Sequence, residues 1–140
     1  MPAPRQVFRL QGYFPGVPRW VRADRSGVVV EFLPGGFREY LWYLLFAPPG
    51  TSWQLRLAPS PVAGPVGDCV DGSKLAIGSR DDAVRVPAGE FTRVVQIDFR
   101  SGCADAGITS EWFAPGVGLV RREETSIAGS VVSELVFAEL

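Results

Sequence analysis

The chain has 140 residues, 46% of them hydrophobic, and a net charge of −1 with both signs interspersed. That composition predicts one domain with a real core and excludes both disorder and a basic stripe for nucleic acid. His is absent, which removes the usual general base and the commonest metal ligand.

Asn is also absent, so N-glycosylation is excluded. Lys occurs once, at Lys74, among 14 basic residues, a bias that high-GC bacterial codon usage accounts for. No run of about 18 apolar residues is present to form a transmembrane helix. Met1-Pro2-Ala3-Pro4-Arg5 lacks the basic start and apolar run of a signal peptide, so a leader is not expected within this chain.

No dozen-residue stretch keeps a helical apolar stripe free of Gly and Pro. Short β-branched and aromatic runs alternate with turn residues instead. Strands are predicted at Val7–Leu10, Trp20–Arg25, Gly27–Leu33, Arg38–Phe46, Ser52–Leu57 and Lys74–Arg80, then at Ala83–Val86, Phe91–Arg100, Ile108–Phe113, Val117–Glu124 and Val131–Glu139. Arg25-Ser26-Gly27 and Leu33-Pro34-Gly35-Gly36 read as hairpin turns, and Ala47-Pro48-Pro49-Gly50 as a break. Ala58–Ser73 is one long Pro- and Gly-rich connection.

Along Arg38–Phe46 both faces are apolar: Tyr40, Trp42, Leu44 and Phe46 on one, Leu41, Tyr43 and Leu45 on the other. Such a strand either sits between two layers or has one face in the core and the other lining a pocket or partner surface. An edge-proximal strand with a contact face is the expectation, and Tyr40, Trp42, Tyr43, Phe46 and Trp53 are the candidate ligand or partner surface.

The last four strands read as a meander. Val95, Ile97 and Phe99 alternate with Gln96, Asp98 and Arg100, while Ile108 and Trp112 share a face opposite Glu111. Ala114-Pro115-Gly116-Val117 is predicted as a tight turn with Pro115-Gly116 at its centre, because Pro presets φ and Gly tolerates the positive φ that follows. The fold class is all-β: an antiparallel meander forming a curved sheet, a barrel or a two-sheet sandwich. An α+β half-barrel with a short helix on its concave face is the alternative.

Candidates for chemistry are few. Asp68, Asp71 and Ser73 lie in a Gly-containing loop but lack the remaining ligands of a calcium loop, so a turn with Asp71-Gly72 at its tip is expected. Asp81-Asp82 and Glu123-Glu124 are adjacent residues whose side chains diverge on a strand, which predicts solvated charge. Asp98, Asp105 and Glu111 are near one another in sequence, yet no spacing makes them a carboxylate pair. Ser52, Ser73 and Ser110 have no His to activate them, and Gly116-Val117-Gly118 precedes no helix. No catalytic residue, metal site or cofactor is nominated. Cys69 and Cys103, 34 residues apart, form a disulfide if the protein is exported and stay as buried thiols if it is cytosolic.

Trp112-Phe113-Ala114-Pro115-Gly116-Val117-Gly118-Leu119-Val120, with Glu134-Leu135 in the last strand, resembles a diffuse group of uncharacterised exported bacterial β-proteins and lipoproteins. Their C-terminal hairpin carries an aromatic-Ala-Pro-Gly-Val-Gly-Leu-Val run. Tyr13-Phe14-Pro15 and Trp20-Val21 are similar to the group's opening, although Gly16-Val17-Pro18-Arg19 replaces its usual Gly-Asn turn. The resemblance implies an extracytoplasmic protein, periplasmic, envelope-associated or secreted, and with it a Cys69–Cys103 disulfide. The function expected is a non-enzymatic module that binds a protein partner or assembles with its own copies. A carrier with an apolar pocket for a small lipid-like ligand is the alternative.

Overall fold

The computed structural model describes residues 6–10, 13–14, 18–59, 69–101, 103 and 106–136. Asp68, Asp105, the end of the predicted last strand beyond Val136 and most of the long connection lie outside these residues. The strands are β1 (Gln6–Leu10), β2 (Arg19–Ala23), β3 (Val28–Phe32), β4 (Glu39–Leu44), β5 (Ser52–Gln54), β6 (Lys74–Val86), β7 (Gly89–Arg100), β8 (Gly107–Ala114), β9 (Gly118–Ser126) and β10 (Gly129–Glu134). Among the described residues helical backbone is confined to Cys69 and Val70.

The architecture is all-β, in two antiparallel sheets that do not close into a barrel. A 4-stranded sheet runs β1-β2-β3-β4 and a 6-stranded sheet runs β10-β9-β8-β7-β6-β5. Every strand pairs with its chain neighbour except across the β4–β5 step, where the chain changes sheet. That corner is stitched by Arg56 N donating to Leu41 O at 2.9 Å and by Trp53 Nε1 donating to Trp42 O at 3.0 Å.

The predicted turns form. Gly36 N donates to Leu33 O and Val117 N to Ala114 O, placing Pro34-Gly35 and Pro115-Gly116 at the turn centres, with Gly116 at φ 72°. Gly27 has two reasons to be glycine: its φ is 82°, and a Cβ there would stand 2.8 Å from the Phe46 ring. Asp24 Oδ1 closes the same turn by accepting from Ser26 N and Val28 N.

The main core lies between the sheets. Val21, Trp42 and Tyr43 from the smaller sheet meet Leu75, Ile77, Val95, Ile97, Ile108 and Phe113 from the larger, with Phe14, Leu55, Leu57 and Val70 at the margins. The predicted strands Lys74–Arg80 and Ala83–Val86 are one strand, β6, whose register against β7 slips between Ile77 and Val84. Asp81 (φ 63°) and Arg93 (φ 57°) take left-handed backbone at this irregularity. The distal half of the β6–β7 hairpin bends there and encloses a second small core of Val94, Ala114 and Val120. Val94 and Val95 are neighbours on one strand, as are Phe113 and Ala114, so the two cores lie on opposite faces of the sheet. The hairpin tip is anchored by Ala88 N donating to Leu135 O at 2.9 Å.

Bulges overturn simple alternation in β4 and β8. In β4, Val29 pairs with Tyr43 but Val30 with Leu41, leaving Trp42 as the extra residue. Trp42 and Tyr43 therefore both turn inward, at 0% and 2% exposure. In β8, Ile108 pairs with Glu124 and Ser110 with Glu123, leaving Thr109 extra. The expectation that Glu111 faces away from Ile108 is thus corrected: both are buried on the inner face, and Trp112 turns outward beneath the Arg121 guanidinium.

Candidate functional site

The five nominated aromatics do not share a surface. Trp42 and Tyr43 are core residues, Tyr40 and Trp53 are half-buried, and Phe46 is exposed but covers the Arg25-Ser26-Gly27 turn. Trp42 stacks on Tyr13 with ring centroids 5.6 Å apart and meets Phe14 edge-on at 4.8 Å. Its indole N–H donates to Glu31 Oε1. The Cys69–Cys103 disulfide is formed, with the two Cα atoms 5.3 Å apart, and ties the end of the long connection to the β7–β8 loop.

Two buried charge clusters flank Trp42. In the first, Arg19 Nη1 donates to both oxygens of Glu31, at 3.1 and 3.0 Å. Glu31 also accepts from Ala58 N at 2.8 Å, so the pair fastens the chain leaving β5 to the smaller sheet. In the second, Arg122 Nε donates to Glu111 Oε2 at 2.7 Å, and the two residues sit directly opposite on β9 and β8. Tyr43 O–H donates to Glu111 Oε1 at 2.5 Å, and Tyr13 O–H lies 2.9 Å from the Tyr43 oxygen. Arg122 Nη1 closes the ring on Tyr13 O at 2.5 Å, with its guanidinium 4.5 Å above the Tyr13 ring.

Burial, reinforced by the Glu111 charge, pushes the Tyr13 and Tyr43 phenols above their usual value. Burial also pushes the Glu111 carboxyl upward, against the pull of Arg122 and of the Tyr43 O–H. Burial opposes the Arg122 charge, but Glu111 and the two phenols outweigh it and hold the guanidinium more firmly protonated than usual. This carboxylate is fully enclosed; its Tyr43 contact joins the two sheets, and Arg122 carries the network on to the Tyr13 loop. Its chemistry is that of a polar rivet between the layers.

The remaining carboxylates do not converge with it. Asp98 pairs with Ser110 on the outer face and accepts from Ser110 Oγ and Gln96 Nε2, whereas Glu111 points inward one residue along. Glu123 and Glu124 are partly exposed, as predicted for solvated charge. Asp71 lies in the predicted turn, where its Oδ1 accepts from Leu57 N at 2.9 Å. Among the described residues no cluster of His, Cys, Asp or Glu is arranged to hold a metal ion. A surface dimple of about 40 Å³, lined by Arg22, Asp24, Val28, Val30 and Glu39, has room for little more than a water.

One sheet edge that stands open among the described residues is β10. Every one of its residues is exposed, and Val131 and Val132 are 55% and 47% accessible on opposite faces. Ile127 in the preceding turn and Val136 beyond the strand are more exposed still, at 95% and 72%. β10 pairs with β9 in unbroken register and ends the six-stranded sheet. It contains no Pro, no Lys and no bulge, the devices that usually blunt an edge. Leu135 N donates to Val120 O, so the hydrogen-bonding parity of the ladder directs Leu135, Ser133 and Val131 toward β9. The backbone groups of Ser130, Val132 and Glu134 are thereby aimed away from the sheet. The signal in the sequence was Ser130-Val131-Val132-Ser133, where adjacent valines stand between serines and no single apolar face emerges.

Comparison with family models, with curated protein sequences and with solved structures returns no match.

Proposed function

We propose that this chain is a non-enzymatic bacterial envelope or extracellular β module that acts by binding protein, either a partner chain or copies of itself, through the edge of β10. The observation that carries the reading is a strand exposed on both faces, apolar at its centre, with outward backbone groups at Ser130, Val132 and Glu134. Strand addition to such an edge gives main-chain hydrogen bonds and buries the flanking side chains. The formed disulfide supports an oxidising compartment, and no helix among the described residues is long and apolar enough to cross a membrane. A lipid-like ligand between the sheets finds less support, because Trp42, Leu55, Leu75 and Ile97 fill that space at 0% exposure.

Amide hydrogen exchange tests the reading. The amides of Ser130, Val132 and Glu134 are expected to exchange freely in dilute pure protein. They are expected to become protected either on concentration or on addition of an extract from the native compartment. Free exchange of all three under both conditions would refute edge binding.

A further inference from the structure

Exposed strand edges are specific only when the incoming strand is complementary to them, and β10 is complementary to itself. A two-fold axis perpendicular to a sheet pairs residues of the same face, so a symmetric antiparallel pair must be centred on one residue. Centring it on Val132 sets Val132 against its own copy and Ser130 against Glu134. The residues whose backbone groups point outward then meet one another, each N–H finding a carbonyl.

Charge and shape agree with this register. Glu134 is the single charged residue of β10, and it faces a serine hydroxyl rather than another carboxylate. Ala128, in the turn before β10, falls opposite the exposed Val136, so the two come together at both ends of the shared ladder. Of the other edges, β1 carries the exposed charge of Arg9, β4 gives its Leu41 carbonyl to Arg56 N, and β5 is only 3 residues long.

We propose that β10 pairs antiparallel with β10 of a second copy of this chain, in the register centred on Val132, joining two six-stranded sheets into one continuous sheet. The proposal rests on the edge-binding reading and names its occupant. A six-residue ladder lies at the small end of interface sizes, so monomer and dimer exchange and the dimer grows with concentration.

The experiment is light scattering on the full chain across concentration, combined with oxidative cross-linking of cysteine variants. Wild type is expected to shift from monomer to dimer. Val132→Cys is expected to form an interchain disulfide, because hydrogen-bonded opposite residues have Cα atoms about 5.5 Å apart, within disulfide reach. Val131→Cys faces Ser133 of the other copy and is expected to remain largely uncross-linked. Val132→Lys puts two like charges at the centre of the interface, while within the monomer the new side chain lies opposite Glu123, so the fold is kept and the dimer is lost. Val132→Pro removes an N–H that β9 does not use and is expected to abolish the dimer equally.

A dimer that survives both Val132→Lys and Val132→Pro overturns the proposal, as does cross-linking through Val131→Cys alone. A wild type that stays monomeric at roughly millimolar concentration overturns it too. If the Ser130, Val132 and Glu134 amides of that monomer become protected only in the extract, edge binding stands and the second copy is excluded.

Discussion

Single residues with left-handed backbone give two opposite expectations from one physical cause. Gly116 sits at φ 72° with open space where a Cβ would be, so Gly116→Val meets a backbone penalty and no clash. It is expected to lower stability by about 1 kcal/mol or more. Arg93 holds φ 57° without being glycine, so Arg93→Gly is expected to raise stability by about 0.5–1 kcal/mol. Denaturant midpoints of both variants check the pair. An unchanged midpoint for Gly116→Val would contradict the turn seen at Ala114–Val117. The Pro-Gly turn was legible in the sequence because φ preferences belong to the residues themselves. The strain at Arg93 was not, because it comes from the slipped register of β6 against β7.

At the scale of elements, β4 shows what one extra residue does. Strict alternation puts Trp42 and Tyr43 on opposite faces, and the bulge at Trp42 buries both. Trp42→Ala is therefore expected to cost about 3–5 kcal/mol, the range for truncating buried aromatics. Tyr40→Ala, at a half-buried position, is expected to cost clearly less. Equal losses in thermal or chemical unfolding would return Tyr40 to the core and contradict the bulge. The same device in β8 turned Glu111 inward and hid the charge network from a period-two reading. The β9 half was hidden as well: a further slip, between the pairs Trp112–Arg121 and Phe113–Leu119, leaves Val120 extra, so Val120 enters the second core while Arg122 faces Glu111.

The whole molecule is held by what crosses between its sheets. Tyr43 belongs to the smaller sheet, Glu111 and Arg122 to the larger, and Tyr13 to the connection between β1 and β2. Glu111→Leu leaves the buried Arg122 only the partly exposed Glu124, 3.9 Å away, as counter-charge and is expected to cost about 3–5 kcal/mol. The double variant Glu111→Leu, Arg122→Met removes both charges and is expected to recover much of that loss. A double variant worse than the single would mean that the pair itself is a net source of stability. The phenols set the alkaline limit. Both Tyr13 and Tyr43 are raised above 10.0 in the fold, so above that pH the unfolded chain loses protons that the native state keeps. Their contribution to stability is present below pH 10 and falls above it by up to about 1.4 kcal/mol per pH unit for each tyrosine. Tyr43→Phe is expected to flatten that decline in an unfolding titration between pH 9 and 11, a range set by the usual tyrosine value of about 10.

The all-β class, the places of the hairpin turns and the meander of the last four strands were legible in the chain, and composition removes His-based chemistry. These follow from φ preferences, two-residue periodicity and composition, which act over a few residues. Pairing of Cys69 with Cys103 was expected only on the condition of export, because nothing local brings two segments 34 residues apart together. Which faces are buried in β4 and β8, how Glu111 meets Arg122, and which strands end up at the sheet edges depend on the tertiary structure. A bulge inverts every later side chain, and an edge exists only in relation to the strands beside it. Val131 and Val132 stand exposed because, among the described residues, no strand lies beyond β10 in the six-stranded sheet.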